Sequence, residues 1–248
     1  MIACAVNLMY NTVVLMYLAL RRCSILEKPS LDELKVELKQ IPKKSLLKWI
    51  VFIGFVYAIY NAVYLRADSR RLMLDLADIS KGLVSKVMIN IDIPLLIGVV
   101  LLCIIFAKRD MIAALALRTK SQILWMFVGI VIFVLTIYMK MPKGMVDAYE
   151  IIHALVITAL LEELVFRGIV FRWMEQAHLS VVAYLVSGLA WGALLGIRPM
   201  VVGGSSAIGA ILPMALMGAV VGTVYAMIYK KTDSLWLVVY LHAVLSLL

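Results

Sequence analysis

Two carboxylates and one guanidinium lie close together inside an apolar segment, Ile151 to Glu175. Glu162, Glu163 and Arg167 interrupt a run that is otherwise apolar and long enough for a membrane helix. A charged side chain at mid-bilayer costs about 2.5–3.5 kcal/mol on insertion scales, so such residues normally face a protein interior or a wet cavity. These three side chains are therefore the first candidates for chemistry in the chain.

The spacing of the three residues indicates different roles for the two carboxylates. Glu163 and Arg167 are four positions apart, so they share a helix face and can form an ion pair. Glu162 is turned by about 100° from Glu163 on an α-helix, and no basic residue lies three or four positions from it. A buried carboxylate so placed is a candidate general base. A purely structural Glu–Arg pair is the competing interpretation.

The last apolar segment adds His242 and Ser246, which are four positions apart and share one helix face. A lone histidine in an apolar helix is usually a core residue whose hydrogen bonds are satisfied. It becomes a candidate acid, base or donor when another helix supplies carboxylates. His153 and His178 are expected near a membrane surface, and neither is assigned a role.

The composition excludes a soluble domain. The chain is 65% hydrophobic with a mean hydropathy of +1.03, whereas soluble domains contain about 45–50% apolar residues. The fold class predicted is an all-α, polytopic membrane helix bundle of about eight transmembrane helices. The expected spans are Met1–Leu20, Leu46–Leu65, Ile91–Ala107, Ile123–Met141, Ala148–Trp173, Val181–Ile197, Ile208–Tyr229 and Leu235–Leu248.

Within this bundle we expect two regions. Residues 1–122 hold the N-terminal membrane helices and amphipathic connecting segments, and residues 123–248 form the core that carries the candidate site. Glycines repeat every fourth position in two of the core spans, at Gly188, Gly192 and Gly196 and again at Gly218 and Gly222. Such stripes of small residues let membrane helices approach closely.

The net charge of +9 does not indicate a nucleic-acid partner, because Lys and Arg lie between the apolar runs. Anionic lipid headgroups and the positive-inside rule explain that placement. Lys and Arg are more frequent after odd-numbered spans, which places both termini outside and the Arg21–Lys48 connection in the cytoplasm. The three cysteines form no disulfide framework and are interpreted as small apolar residues.

The motifs of the second half resemble those of the CPBP (Abi) family. Glu162-Glu163-Leu-Val-Phe-Arg167-Gly168 is a full match to its first motif, and Trp191-Gly-Ala-Leu-Leu195 occupies the place of its aromatic-x-x-x-His motif. A glycine-rich span, Thr232-Asp-Ser-Leu-Trp236 and His242-Ala-Val-Leu-Ser246 then follow in the family's order. The family includes CAAX endopeptidases and membrane proteases of bacteriocin immunity.

The resemblance implies an intramembrane endopeptidase of a bacterial plasma membrane, with a peptide or membrane protein as its substrate. Glu162 would activate water, Glu163 and Arg167 would support that helix, and the family's two histidines would position water and stabilise the oxyanion. Three positions depart from the family pattern. Leu195 replaces the first histidine, Ser246 replaces Asn or Asp, and Trp191 replaces a Phe of similar size and aromatic character.

Members of the family are often labelled metalloproteases, which raises the question of a metal. Glu162, Glu163 and His242 could supply the three protein ligands of a catalytic zinc. Leu195, however, stands where a further nitrogen is expected, and it cannot bind a metal. We therefore predict no cofactor, with a divalent zinc ion as the disfavoured alternative.

Two functions remain open from the sequence. The intact first motif and His242 favour a peptidase. Leu195 and Ser246 favour a catalytically inactive member that acts as a membrane scaffold, a regulator of a partner or a bacteriocin-immunity protein. A transporter is disfavoured because the spans do not form two matching halves with broken helices.

Overall fold

The computed structural model describes residues 36–37, 41–64, 87–140, 145–203 and 208–248, and no β-strand occurs within these ranges. Seven helices form the described bundle. They are α1 (Lys43–Tyr64), α2 (Met88–Leu115), α3 (Lys120–Lys140), α4 (residues 145–176), α5 (Ser180–Gly203), α6 (Ile208–Thr232) and α7 (Leu235–Leu247).

Length and composition identify most of these helices as membrane spans. Five of them (α1, α2, α3, α5 and α6) contain stretches long and apolar enough to cross a bilayer, and α7 is a shorter apolar helix. On α3, large apolar side chains such as Phe127, Val131 and Leu135 point away from the protein, as lipid-facing residues do. The prediction of an all-α membrane bundle is confirmed.

The described helices lie at seven of the eight predicted spans. The remaining span, Met1–Leu20, lies outside the described residues, as does most of the predicted amphipathic connecting segments. The predicted end of the third span is shifted. Helix α2 continues to Leu115 through a kink at Ala107, where φ is −147°. The continuation is polar at Asp110 yet stays packed on the bundle, because Asp110 accepts a hydrogen bond from Trp173.

Helix α4 lies at the centre of the bundle and is not a regular α-helix. Two π-helical stretches, His153–Leu160 and Leu164–Phe171, flank the single turn Leu161–Glu163. All eight residues of Leu164–Phe171 are buried, since α2, α5, α6 and α7 surround this helix. Such π-helical insertions are rare and frequently occur at functional sites.

Helices α5 and α6 pack closely through the two glycine stripes. A Cβ at Gly192 would collide with the backbone of Ala215 and Ala219, and a Cβ at Gly218 would lie 2.8 Å from the Cα of Gly192. The two backbones can approach this closely only because Gly192 and Gly218 lack side chains. The glycine pattern predicted from the sequence therefore forms the α5–α6 contact.

The N-terminal helices support the core from one side. The hydroxyl of Tyr57 on α1 donates to the carbonyl of Ala190 on α5, and Phe52 packs edge-on against Trp173 of α4. Glu37 accepts hydrogen bonds from the backbone N–H groups of Val181 and Val182. These N–H groups belong to the first turn of α5, where a carboxylate is favoured by the helix dipole.

Candidate active site

Glu163 and Arg167 form the ion pair that their spacing predicts. Arg167 Nη1 donates to Glu163 Oε1 over 3.0 Å, and both side chains are completely buried. Arg167 Nη2 also donates to the carbonyl oxygen of Gly222 on α6 over 2.8 Å. The guanidinium thus joins α4 to α6 as well as neutralising Glu163.

Aromatic rings complete the surroundings of Arg167. Its Cζ lies 5.0 Å from the ring centroid of Trp191 and 5.5 Å from that of Tyr225. Both distances are within the range of cation–π attraction. A buried cation is tolerated here because a carboxylate, a carbonyl and two ring faces share its charge.

His242 comes from α7 and contacts the same carboxylate. Its Nδ1 lies 2.8 Å from Glu163 Oε1. An ionised carboxylate can only accept, so Nδ1 carries the hydrogen and donates it. The other ring nitrogen, Nε2, lies 3.9 Å from Glu162 Oε2. Glu163 therefore orients His242 towards Glu162.

Glu162 is completely buried and faces α5. Its Oε2 accepts a hydrogen bond of 2.5 Å from Nε1 of Trp191. The Trp191 ring stands nearly perpendicular to His242, with centroids 5.1 Å apart. Four helices, α4, α5, α6 and α7, thus bring their polar groups to one buried point.

A family model described as type II CAAX prenyl endopeptidase, Rce1-like, matches residues 120–248, more than half of the chain. The chain belongs to this family. Comparison with curated proteins and with solved structures gives no match for this chain. The match confirms the resemblance to CPBP proteins and identifies an integral membrane protein of the CAAX-protease type.

Five of the seven candidate residues meet in one cluster of this Rce1-like chain: Glu162, Glu163, Arg167, Trp191 and His242. Ser246 lies elsewhere. It is exposed, and its hydroxyl donates to the carbonyl oxygen of His242 over 3.0 Å. Serine often bonds the carbonyl four residues before it in a helix. In this conformation the hydroxyl is thus used within α7.

Leu195 lies one turn after Trp191 on α5 and is half-buried. Its side chain packs against α6, because a Cβ at Gly218 would lie 2.9 Å from Leu195 Cδ1. This apolar contact supplies no hydrogen-bond donor to the cluster. The position that holds histidine in the family pattern has a packing role in this chain.

The side chains of this cluster do not fit the metal ion that the family's frequent label, metalloprotease, implies. Glu163 Oε1 is shared by Arg167 and His242, and an indole N–H points at Glu162. A guanidinium and an N–H donor at these oxygens disfavour a cation there, since a metal needs convergent lone pairs. Among the described residues no group of three His, Cys, Asp or Glu is placed to hold an ion.

Three contacts of the site were not anticipated from the sequence: the N–H of Trp191, the carbonyl of Gly222 and the ring of Tyr225. None has a local signal, because each depends on how α5 and α6 are rotated against α4. The glycine at 222 is the one available hint. A Cβ there would lie 3.0 Å from both Arg167 Nη2 and Trp191 Cε3.

A second cluster of polar residues lies nearer the N-terminus of α4. Asp92 of α2 contacts His153 Nδ1 at 3.1 Å and accepts a hydrogen bond of 2.7 Å from the Tyr149 hydroxyl. His153 is thus part of an α2–α4 contact. No role was predicted for His153 from the sequence, and its contact with Asp92 needs no role beyond packing of the two helices.

Proposed function

We propose that this chain is an intramembrane endopeptidase in which Glu162 activates water, without a metal ion. The observation that carries the proposal is the approach of His242 Nε2 to 3.9 Å from Glu162 Oε2, with Glu163 fixing the other ring nitrogen. One water molecule in contact with both atoms would be held between a base and an oriented imidazole.

The reaction then follows from these groups. Glu162 takes a proton as the water oxygen attacks the carbonyl carbon of the scissile peptide bond. Because His242 donates from Nδ1 to Glu163, its Nε2 accepts the second hydrogen of the water and so orients the water oxygen towards the carbonyl carbon. The C–N bond breaks, and the proton held by Glu162 passes to the leaving nitrogen. The products are a carboxylate and an amine.

Family membership suggests a prenylated CAAX peptide as the substrate, and a bacteriocin leader peptide is the alternative. The experiment uses the full chain in liposomes with an internally quenched farnesylated CAAX peptide and, separately, a leader peptide. We expect cleavage by the parent and a loss of about 10²–10⁴-fold in kcat for Glu162→Gln, the usual effect of losing an acid–base group. Glu150→Gln is the matched control, because Glu150 is a partly exposed partner of Lys140.

A second candidate is a catalytically inactive member that acts as a scaffold, a partner regulator or an immunity protein. Two observations favour it: Leu195 fills the place of the family's first histidine, and Glu162 is completely enclosed in this conformation. This candidate predicts a silent parent and cleavage only by Leu195→His. It also predicts that Glu162→Gln leaves the cellular phenotype unchanged, whereas Gly192→Ala, which disturbs helix packing, abolishes it.

A further inference from the structure

Trp191 contributes a polar group to the cluster, whereas Phe, the residue of the family pattern, would not. Its Nε1 lies 2.5 Å from Glu162 Oε2, and both side chains are buried. An indole nitrogen can only donate, so this is a hydrogen bond from Trp191 to the carboxylate. Bonds in which the acceptor is ionised are among the stronger ones in proteins.

The direction of the indole N–H is fixed by its neighbours. Trp191 Cε3 lies 3.0 Å from the place where Gly222 would carry a Cβ, so a side chain there would displace the ring. The planes of the His242 and Trp191 rings make an angle of 84°, and the Cζ of Arg167 lies 5.0 Å from the centroid of the Trp191 ring. With these contacts the ring has little freedom to turn its N–H away from Glu162.

Leu195 also departs from the family pattern, and this second departure explains why the hydrogen bond from Trp191 to Glu162 is important. One helical turn along α5, the family pattern has a histidine, and here Leu195 supplies no donor. The family pattern has Phe, whose ring has no polar atom, and then His. This chain has Trp191, whose indole carries an N–H, and then the aliphatic Leu195. The two exchanges move a nitrogen donor from the second position of the motif to the first.

We propose that Trp191 is a positioning residue for Glu162 and that it supplies the donor which Leu195 cannot. This inference rests on the proposed peptidase function. Trp191 acts through Glu162: its N–H holds one carboxylate oxygen, and this fixes the orientation of the group that takes the proton from water. The combination of Trp191 and Leu195 is thus a compensated pair rather than a lost motif.

The test compares the parent with Trp191→Phe, Leu195→His and the double variant, each as the full chain in liposomes with the farnesylated CAAX peptide. We expect Trp191→Phe to lower kcat by about 10²-fold, as the loss of one positioned donor does. KM should stay within about twofold, since the lost interaction does not bind substrate. The double variant should regain at least about tenfold in kcat over Trp191→Phe, because histidine restores a donor.

Trp173→Phe is the matched control. Its indole N–H also donates to a carboxylate, Asp110 Oδ2, over 2.7 Å, but this bond joins α4 to α2 away from the cluster. Trp173→Phe removes the same type of bond and should leave kcat at the parent value. Parent-like kcat in Trp191→Phe, or a double variant no faster than Trp191→Phe, would overturn the proposal.

A second measurement does not depend on cleavage. In protein with ¹⁵N-labelled indoles, the Nε1–H signals of the other four tryptophans are assigned by their loss in single Trp→Phe variants, and the fifth signal belongs to Trp191. We expect this signal to shift upfield in both Glu162→Ala and Glu162→Gln and to stay in place in Glu150→Gln. An unchanged signal contradicts the hydrogen bond even where Trp191→Phe fails to fold. A parent that cleaves neither peptide refutes the proposed function, and the indole signal then decides the bond separately.

Discussion

Arg167 is a cation without access to solvent, and its charge is shared among Glu163, the Gly222 carbonyl and two aromatic rings. Removing one partner of a buried ion pair usually costs about 3–5 kcal/mol, because the other charge is left uncompensated. We predict that Arg167→Met lowers the free energy of unfolding by about this amount. Urea or thermal unfolding of the full chain in detergent measures it.

The same experiment has an internal check. Adding Glu163→Gln to Arg167→Met removes the stranded carboxylate, so the double variant should be more stable than Arg167→Met alone. Lys231→Met, on an exposed side chain of α6, should change the free energy of unfolding by less than about 0.5 kcal/mol. If Arg167→Met is as stable as Lys231→Met, the ion pair does not stabilise the fold.

The residues differ in how far the sequence could predict their contacts. The Glu163–Arg167 pair is local, so a spacing of four positions was sufficient. The bonds of Glu162 to Trp191 and of Glu163 to His242 join residues 29 and 79 positions apart. Their existence depends on the rotation of whole helices, which no local pattern specifies. Ser246 shares a face with His242 as predicted, yet its hydroxyl bonds to the backbone of its own helix.

At the scale of elements, the α5–α6 contact has the least tolerance for added atoms. We predict that Gly192→Ala destabilises the chain by about 1–3 kcal/mol, the usual cost of overpacking. The obstacles are backbone atoms of Ala215 and Ala219, which cannot rotate away. Thermal unfolding in detergent checks the change, and helix separation should also lower the yield of folded protein.

Gly209→Ala is the control for this prediction because Gly209, on α6, is a helical glycine with no atom within 4 Å of its Cβ position. Alanine there should be neutral or stabilising, since it has the higher helix propensity. Equal destabilisation by both substitutions would show that loss of glycine flexibility, and not close packing, is responsible.

Helix positions were largely predictable because long apolar runs are a strong signal in a membrane protein. The details of winding were not. The predicted geometry of α4 assumed a regular α-helix, whereas two π-helical stretches flank Glu162 and Glu163. The extension of α2 past Ala107 depends on the contact of Asp110 with Trp173, which lies on a different helix.

At the scale of the whole molecule, several helix ends meet on one side of the bundle. Lys48 lies over the ring of Trp173, Lys230 pairs with Glu175, and Gln122 donates to Asp233. This side also contains other basic residues, among them Lys108, Arg109, Arg118, Lys120, Arg172 and Lys231. We propose, from the positive-inside rule, that this end of the bundle lies in the cytoplasm.

The orientation is testable by labelling single cysteines in a chain in which Cys4, Cys23 and Cys103 are replaced by alanine. We predict that an impermeant maleimide labels Lys140→Cys in intact cells, because Lys140 is exposed at the opposite end of the bundle. Lys231→Cys should react only after the membrane is permeabilised. The reverse pattern would invert the proposed orientation and place both termini inside.

The surroundings of Arg167 have a consequence for how the chain enters the bilayer during synthesis. The carbonyl that Arg167 Nη2 contacts lies 55 residues later in the chain, and the histidine beside Glu163 lies 79 residues after that carboxylate. When α4 leaves the ribosome, neither partner has been made. Because charged groups at mid-bilayer are costly without partners, α4 should remain at the insertion machinery until α6 and α7 arrive. Release of α4 into lipid would then be the last step of assembly, although α4 is only the fourth of the seven described helices to be synthesised.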